Sequence, residues 1–465
     1  MAQSISQEAI GATGLPGATA ASRHAGATAS GAPTTGTFAV GDYVVDQTGA
    51  MYVCTVAGTP GTWQLSGVSV NENIAGKNFV INGGMDIWQR GTSFSIATGV
   101  LTYTADRWCS YPGVSTWTVS QLAPATITAI SSTSTTWTFT VANNFQAGQL
   151  VIISGCTPTG YNGTWTIATA SSTQFTVTNS SNPGTGTVFG TATTVAQGFK
   201  NAMRVQRNSG TTSTAGFAFT QSLETQNSLP LAGKTVTLSF WARASSSISS
   251  NSLSAYITYG QGTDQNTIYG FTNQANFNQT FTTTSGWALY TLSNYTLPTN
   301  ITQVGLYFFY TPAGTAGSAD YFEVTGVQLE IAPQATPFSR AGGSIGGELA
   351  LCMRYYERRT AAGANFGIGI PVSLRSSTSA YGAVTYGAPK RVNPTIDFSN
   401  IYVQFGNTTN CTPTGMAGVY GAGSAAGWPS AGFDITLSGS GVANAAGWLI
   451  DSGGGAGYIA FLAEL

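Results

Sequence analysis

The sequence predicts a mainly β protein, built from several antiparallel β-sandwich or jelly-roll domains in series with one short helix near 345–359. Three observations carry this. The polar residues are mostly Thr, Ser, Asn, Gln and Gly, including 59 glycines in 465 residues, which suit strands and turns better than helices. Apolar residues recur in short alternating runs, the period of a half-buried strand. Hydrophobic residues reach 42% and aromatics 11%, enough to build cores rather than a disordered chain.

Charge is nearly absent. Asp, Glu, Lys and Arg together make up 7% of the chain, against roughly 25% in an ordinary soluble domain. Residues 108–199 contain no Asp, Glu, Lys, Arg or His. Net charge is −1 with no basic block, so no nucleic-acid partner is expected. No run of about 18 apolar residues occurs, and membrane insertion is not expected either. The first residues lack the basic and apolar regions of a secretory leader. Five scattered cysteines, Cys54, Cys109, Cys156, Cys352 and Cys411, are expected to be buried free thiols. A surface so close to neutrality favours a permanent assembly over a lone monomer.

Along the chain, residues 1–35 read as a low-complexity tether with three G-x-x triplets, too few for a collagen helix. Residues 36–69 form a small β module, with runs at 43–45 and 51–54 around a glycine-containing hairpin turn. Residues 70–340 form a jelly-roll-like sandwich, with strands at 78–81, 202–206, 235–242, 253–259, 288–292, 305–310 and 321–331. In the last of these the apolar parity slips at Gly326: Phe322 and Val324 lie on one phase, Val327 and Leu329 on the other. That pattern predicts a bulge. Residues 122–195 hold their own strand set and read as a small β module inserted into a sandwich loop, between parent strands at 103–108 and 201–205. Residues 341–465 open on a helix capped by Ser344 and continue as a β-rich distal domain.

Few residues are equipped for catalysis. His24 is the only histidine and lies in the tether, which removes histidine-based triads and His/Cys zinc sites. Paired carboxylates remain: Asp320, Glu323 and Glu330 cluster on one strand, with Asp86, Asp106 and Glu224 elsewhere. Structural ion pairs explain them more simply, and no catalytic residue, cofactor or metal is expected. Aromatics are the better resource, because ring faces and hydroxyl or amide groups can hold sugars without charge. The candidate glycan contacts are Trp137, Tyr161 and Trp165 in the inserted module, and Tyr381, Tyr386, Tyr402, Tyr420 and Trp428 near the end of the chain.

Several segments carry a resemblance. KNFVINGGMDIWQRGTSF with YTADRW, followed by GVQLEIAPQATPFSR and GELALCMRYYERR, resembles a carbohydrate-binding-like β-sandwich found in bacteriophage tail-fibre and virion-fibre proteins. SGCTPTGYNGTWTI and GDYVVDQTGAMYVCTVAGTPGTW resemble small modules shuffled among phage structural proteins. The resemblance implies a receptor-binding virion protein without enzymatic activity: a homotrimer attached to other virion proteins through residues 1–67 and meeting host cell-surface polysaccharide distally. The helix, through Leu349, Met353 and Tyr356, is then expected at the trimer junction. The alternatives are a purely structural capsid or tail decoration fibre, and a polysaccharide depolymerase using Asp and Glu.

Overall fold

The computed structural model describes residues 24–29, 31–47, 51–66, 75–122, 124–133, 135–143, 145–194, 196, 199–405, 409–420, 430–439 and 445–465. The chain forms two compact units, Met1–Glu72 and Asn73–Leu465.

The smaller unit is a four-stranded sheet, in order His24–Thr28, Tyr43–Asp46, Met51–Val56, Thr62–Ser66. Its hairpin pairs Tyr43 with Val53, and Cys54 is fully buried. The tether expectation fails for 24–28, which pairs in parallel with Tyr43–Asp46. Edge pairing satisfies backbone groups that a free arm would leave to water. Residues 1–23 lie outside the described residues.

In the larger unit two six-stranded antiparallel sheets face each other. One runs Ala288–Thr296, Thr235–Ala244, Tyr321–Glu330, Met203–Arg207, Trp117–Gln121, Ser93–Ile96. The other runs Thr272–Thr282, Ser252–Gln261, Gln303–Tyr310, Phe217–Ser222, Cys109–Pro112, Thr102–Tyr103. Between them Phe219 stacks on Phe308 at 4.6 Å, with Trp108, Trp117 and Phe240 fully buried around the pair. The Gly326 bulge is present: φ is +61°, and the register against Thr235–Ala244 slips between Ser239 and Trp241. The slip is what lets Phe322, Val324, Val327 and Leu329 enter one core despite their opposite phases.

Strands pairing only with one another occupy 125–193, in a seven-stranded sheet from Ala129–Ser132 at one edge to Ala125–Thr126 at the other. They enclose a separate core of Trp137, Phe139, Tyr161 and Phe175. After the helix Ile345–Met353, a three-stranded and a second seven-stranded sheet complete the chain around Ile370, Val403, Phe433, Leu449 and Phe461.

Three sequence expectations are corrected here. Residues 78–81 are not a strand; side chains do the work of a ladder. Asn78 Nδ2 donates to the carbonyls of Val327 and Ser339, both at 3.0 Å, and its Oδ1 accepts from Val80 and Leu329. Asn82 bridges Ile87 and Asp106 in the same way. A Cβ on Gly83 would sit 2.0 Å from the Val327 carbonyl oxygen, so the segment can lie there only as glycine. Residues 104–108 are likewise a turn, with Arg107 at φ +71°, leading into the strand Cys109–Pro112.

The helix is shorter than expected. Ser344 caps it by accepting from Gly347 N at 3.1 Å, but it ends at Met353, and Tyr356–Thr360 is a strand. Of the apolar stripe the spacing predicts, Leu349, Met353 and Tyr356 with Cys352, the structure buries Cys352 and Tyr356 and leaves Leu349 and Met353 half-buried, while Glu348 and Tyr355 are buried as well. Leu349 packs against a cluster containing Ile81, Ile87 and Tyr355. The Met353 thioether lies against Gly387, and Tyr356 carries the Arg90 guanidinium 3.6 Å above its ring. Leu349, Met353 and Tyr356 each have contacts within the chain.

Many of the scarce charges are internal. Arg207, Arg243, Asp320, Glu323, Glu348 and Asp451 are almost fully buried. Glu464 pairs with Arg90 at 2.7 Å and with Arg107, Arg354 with Glu224 at 2.8 Å, and Arg391 with Asp264 at 2.9 Å. These bridges join the sandwich to the distal sheets.

Candidate functional site: an uncharged aromatic cleft

The outer face of the second sandwich sheet is set by strand alternation. In Ser252–Gln261, Leu253, Ala255 and Ile257 point into the core, which leaves Ser254 and Tyr256 outside. In Gln303–Tyr310, Leu306, Phe308 and Tyr310 are buried, and Tyr307 and Phe309 are half-exposed on the opposite face. Tyr256 pairs directly across the ladder with Tyr307, their rings edge to face at 5.5 Å. Phe309 lies 6.0 Å from Tyr307 in a near-parallel orientation. Gly216 lets the Phe309 ring lie flat on the neighbouring segment; a Cβ there would meet it at 2.3 Å.

These rings floor a cleft of about 430 Å³, with Tyr269, 79% exposed, on the loop above and the amides Gln274 and Asn276 on its wall. No charged side chain lines it. Burial, with Tyr256 nearby, pushes the Tyr307 phenol above its ordinary range, so it stays a neutral donor at physiological pH. The arrangement offers ring faces, hydroxyls and amides in a groove, chemistry suited to a neutral polyhydroxy ligand and not to proton transfer.

The predicted glycan contacts fare differently. Trp137 is 1% exposed and Tyr161 fully buried; both belong to the inserted module's core, and an enclosed ring has no face to offer a sugar. Trp165 is half-buried, edge-on to Trp137 at 4.9 Å, its Nε1 donating to the Tyr161 carbonyl at 2.9 Å. Tyr386 is also in a core, its ring against Phe461 at 5.2 Å. Tyr381 and Tyr402 do face outward from the distal seven-stranded sheet. Tyr381 lies across Gly432 beside a shallow trough of about 570 Å³. Tyr420 is on the strand Pro413–Tyr420 with its side chain outside the described residues, as is Trp428.

Sequence reasoning missed Tyr256, Tyr307, Phe309, Tyr269 and the 55% exposed Trp448. Tyr256 was findable, as the aromatic on the polar phase of SLSAYITYG. Tyr307 and Phe309 were not, since GLYFFY is apolar on both phases.

The candidate carboxylates are all occupied. Glu323 accepts from Arg204 and Arg243, Asp320 pairs with Arg207 at 3.3 Å, and Glu330 accepts from Gln328 and Thr336. Asp86 pairs with Arg340 at 2.9 Å, Asp106 accepts from Gln89, and Glu224 pairs with Arg354. Among the described residues no three His, Cys, Asp or Glu side chains are grouped to hold a metal, and no helix is long and apolar enough to cross a membrane. The five cysteines are buried and free.

No protein-family model and no curated protein matches the chain. Among solved structures it aligns with a CBM4 module at 25% identity, covering 30% of this chain and 74% of that one, with a TM-score of 0.21. It also aligns with the C-terminal family 22 carbohydrate-binding module of Clostridium thermocellum Xyn10B at 16% identity, covering 30% and 79%, with a TM-score of 0.22. A third is the CBM22-2 xylan-binding domain of Paenibacillus barcinonensis Xyn10C, at 18% identity, covering 30% and 83%, with a TM-score of 0.20. Likeness of that size assigns no ligand to this chain.

Proposed function

We propose that this protein binds saccharide without catalysis, through the cleft floored by Tyr256, Tyr307 and Phe309. The observation that carries the reading is the cleft itself: three half-exposed rings on adjacent strands, amides on the wall, and no charge. The three rings lie on the outer face of the sheet, apart from the buried core of the sandwich.

The sequence resemblance to phage fibre proteins supports reading this activity as that of a virion tail fibre. There the protein acts as a homotrimeric receptor-binding protein, held to other virion proteins through residues 1–67 and attached to host cell-surface polysaccharide. The test combines purified protein with host cells and their surface polysaccharide. Saturable binding without new reducing ends supports the reading. Neither binding nor cleavage would indicate a purely structural fibre, and reducing-end release a depolymerase. Sedimentation at micromolar concentration decides the trimer.

A further inference from the structure

A second cleft, also of about 430 Å³, lies where the inserted module meets the parent sandwich. Its wall from the module carries Asn143 and Thr193; its wall from the sandwich carries Ser245, Ser246 and Ser247. Arg204 and Arg243 line it as well, and they belong to a row across three strands. Glu323 stands directly opposite Arg204 on one neighbouring strand and opposite Arg243 on the other. Arg204 gives both Nε, at 2.8 Å, and Nη2 to the same oxygen of Glu323, while Arg243 Nε takes the second oxygen. Arg243 Nη1 donates to Thr194 Oγ1 at 2.9 Å.

Two guanidiniums therefore share one carboxylate. The cations paired with Glu323 are Arg204 and Arg243. The inserted module has no charge of its own to offer. Two guanidiniums on one carboxylate leave one positive charge over among the residues lining the cleft. Glu323 and Arg243 are buried, with 0% and 2% of their side chains exposed, whereas Arg204 keeps 28% and lies 4.0 Å over the Tyr321 ring. Arg204 Nη1 has no hydrogen-bond partner among the described residues. A guanidinium has five N–H donors, so the group retains capacity for a further acceptor.

We propose that this cleft binds an acidic sugar residue, its carboxylate neutralising the extra guanidinium charge at Arg204 and its hydroxyls meeting Ser245, Ser246, Ser247, Thr193 and Asn143. The cleft is separate from the neutral aromatic groove. The inference rests on the reading of the chain as saccharide-binding.

The test titrates the full chain with oligogalacturonate and with its fully methyl-esterified form, the same saccharide without charge. The acid is expected to bind at least about tenfold more tightly, and to weaken between low and high salt as a solvent-accessible ion pair does. Arg204→Gln, which leaves one guanidinium on one carboxylate, should abolish the preference. Should Arg204→Gln lower the melting temperature, Ser246→Trp, which fills the cleft and leaves the row intact, must give the same loss. Equal binding of acid and ester, or acid binding that persists in both variants, overturns the proposal. So does acetate binding as tightly as the oligosaccharide, which would mean an anion site without sugar recognition. Loss of acid binding in Tyr256→Ala would move the ligand to the aromatic groove and also overturn it. Failure of neutral saccharides alone, with Arg204-dependent uronate binding intact, counts against the aromatic groove only.

Discussion

Arg107 and Glu464 form a largely buried ion pair across 357 residues of sequence, with the Arg107 guanidinium held 3.5 Å over the Tyr355 ring. Glu464 also takes Arg90 at 2.7 Å, and the Tyr103 hydroxyl donates to the Leu465 carbonyl at 2.8 Å. The end of the distal domain is thus stitched into the mouth of the sandwich by some of the few charges the chain owns.

Removing one side of this pair should be expensive. Glu464→Ala leaves Arg107, 2% exposed, without its counter-charge, and breaking a buried pair typically costs ~3–5 kcal/mol. Urea unfolding is expected to show that loss for Glu464→Ala and a smaller one for the double variant with Arg107→Met. A loss in the double variant equal to the sum of the losses of Glu464→Ala and Arg107→Met would mean the pair contributes no coupling.

Acid sensitivity should trace to Glu323. Burial pushes its pKa up, but Arg243 and Arg204 together outweigh burial and hold it below the ordinary carboxylate value. A carboxylate with a depressed folded pKa contributes stability above its unfolded pKa of about 4.3, and that contribution is lost as pH falls through the folded value. The stability difference between wild type and Glu323→Gln should therefore be largest above about pH 4.5 and shrink on acidification. A pH-independent difference would assign the effect to packing.

Gly326→Ala should destabilise the sandwich. Its φ is +61°, and a Cβ would stand 2.4 Å from the Phe199 ring. Backbone strain alone is worth on the order of 1–3 kcal/mol, and Phe199 must move in addition. Thermal unfolding of Gly326→Ala against Gly314→Ala isolates the clash, because Gly314 shares a positive φ, +54°, with nothing within 4 Å. Equal losses in the two variants would remove Phe199 from the account.

Saccharide affinity should depend on Tyr256 and Tyr307 without a matching change in stability. Each ring is half-exposed and sits outside the buried set of the core. Desolvating one aromatic face contributes on the order of 1.5–3 kcal/mol, so Tyr256→Ala or Tyr307→Ala should weaken neutral-oligosaccharide binding about ten- to hundredfold. Calorimetric titration measures this, with the melting temperature as control. Undiminished affinity would remove the cleft from the binding surface.

By itself the sequence determined the β class, the Ser344 cap and the Gly326 bulge. Each is written locally, in turn residues, a parity slip or a cap spacing. It also showed how little charge the chain has. It did not show where the charge goes, because Arg204 meets Glu323 and Arg107 meets Glu464 only across strands far apart in sequence. Nor did it place the cleft. Alternation tells that a strand has two faces, yet in GLYFFY both faces are apolar, and packing of one sheet against the other decided that Phe308 goes in and Tyr307 stays out. Trp137 and Tyr161, which the sequence offers as candidate glycan contacts, fill a core: a short module without charge has only its largest rings with which to exclude water.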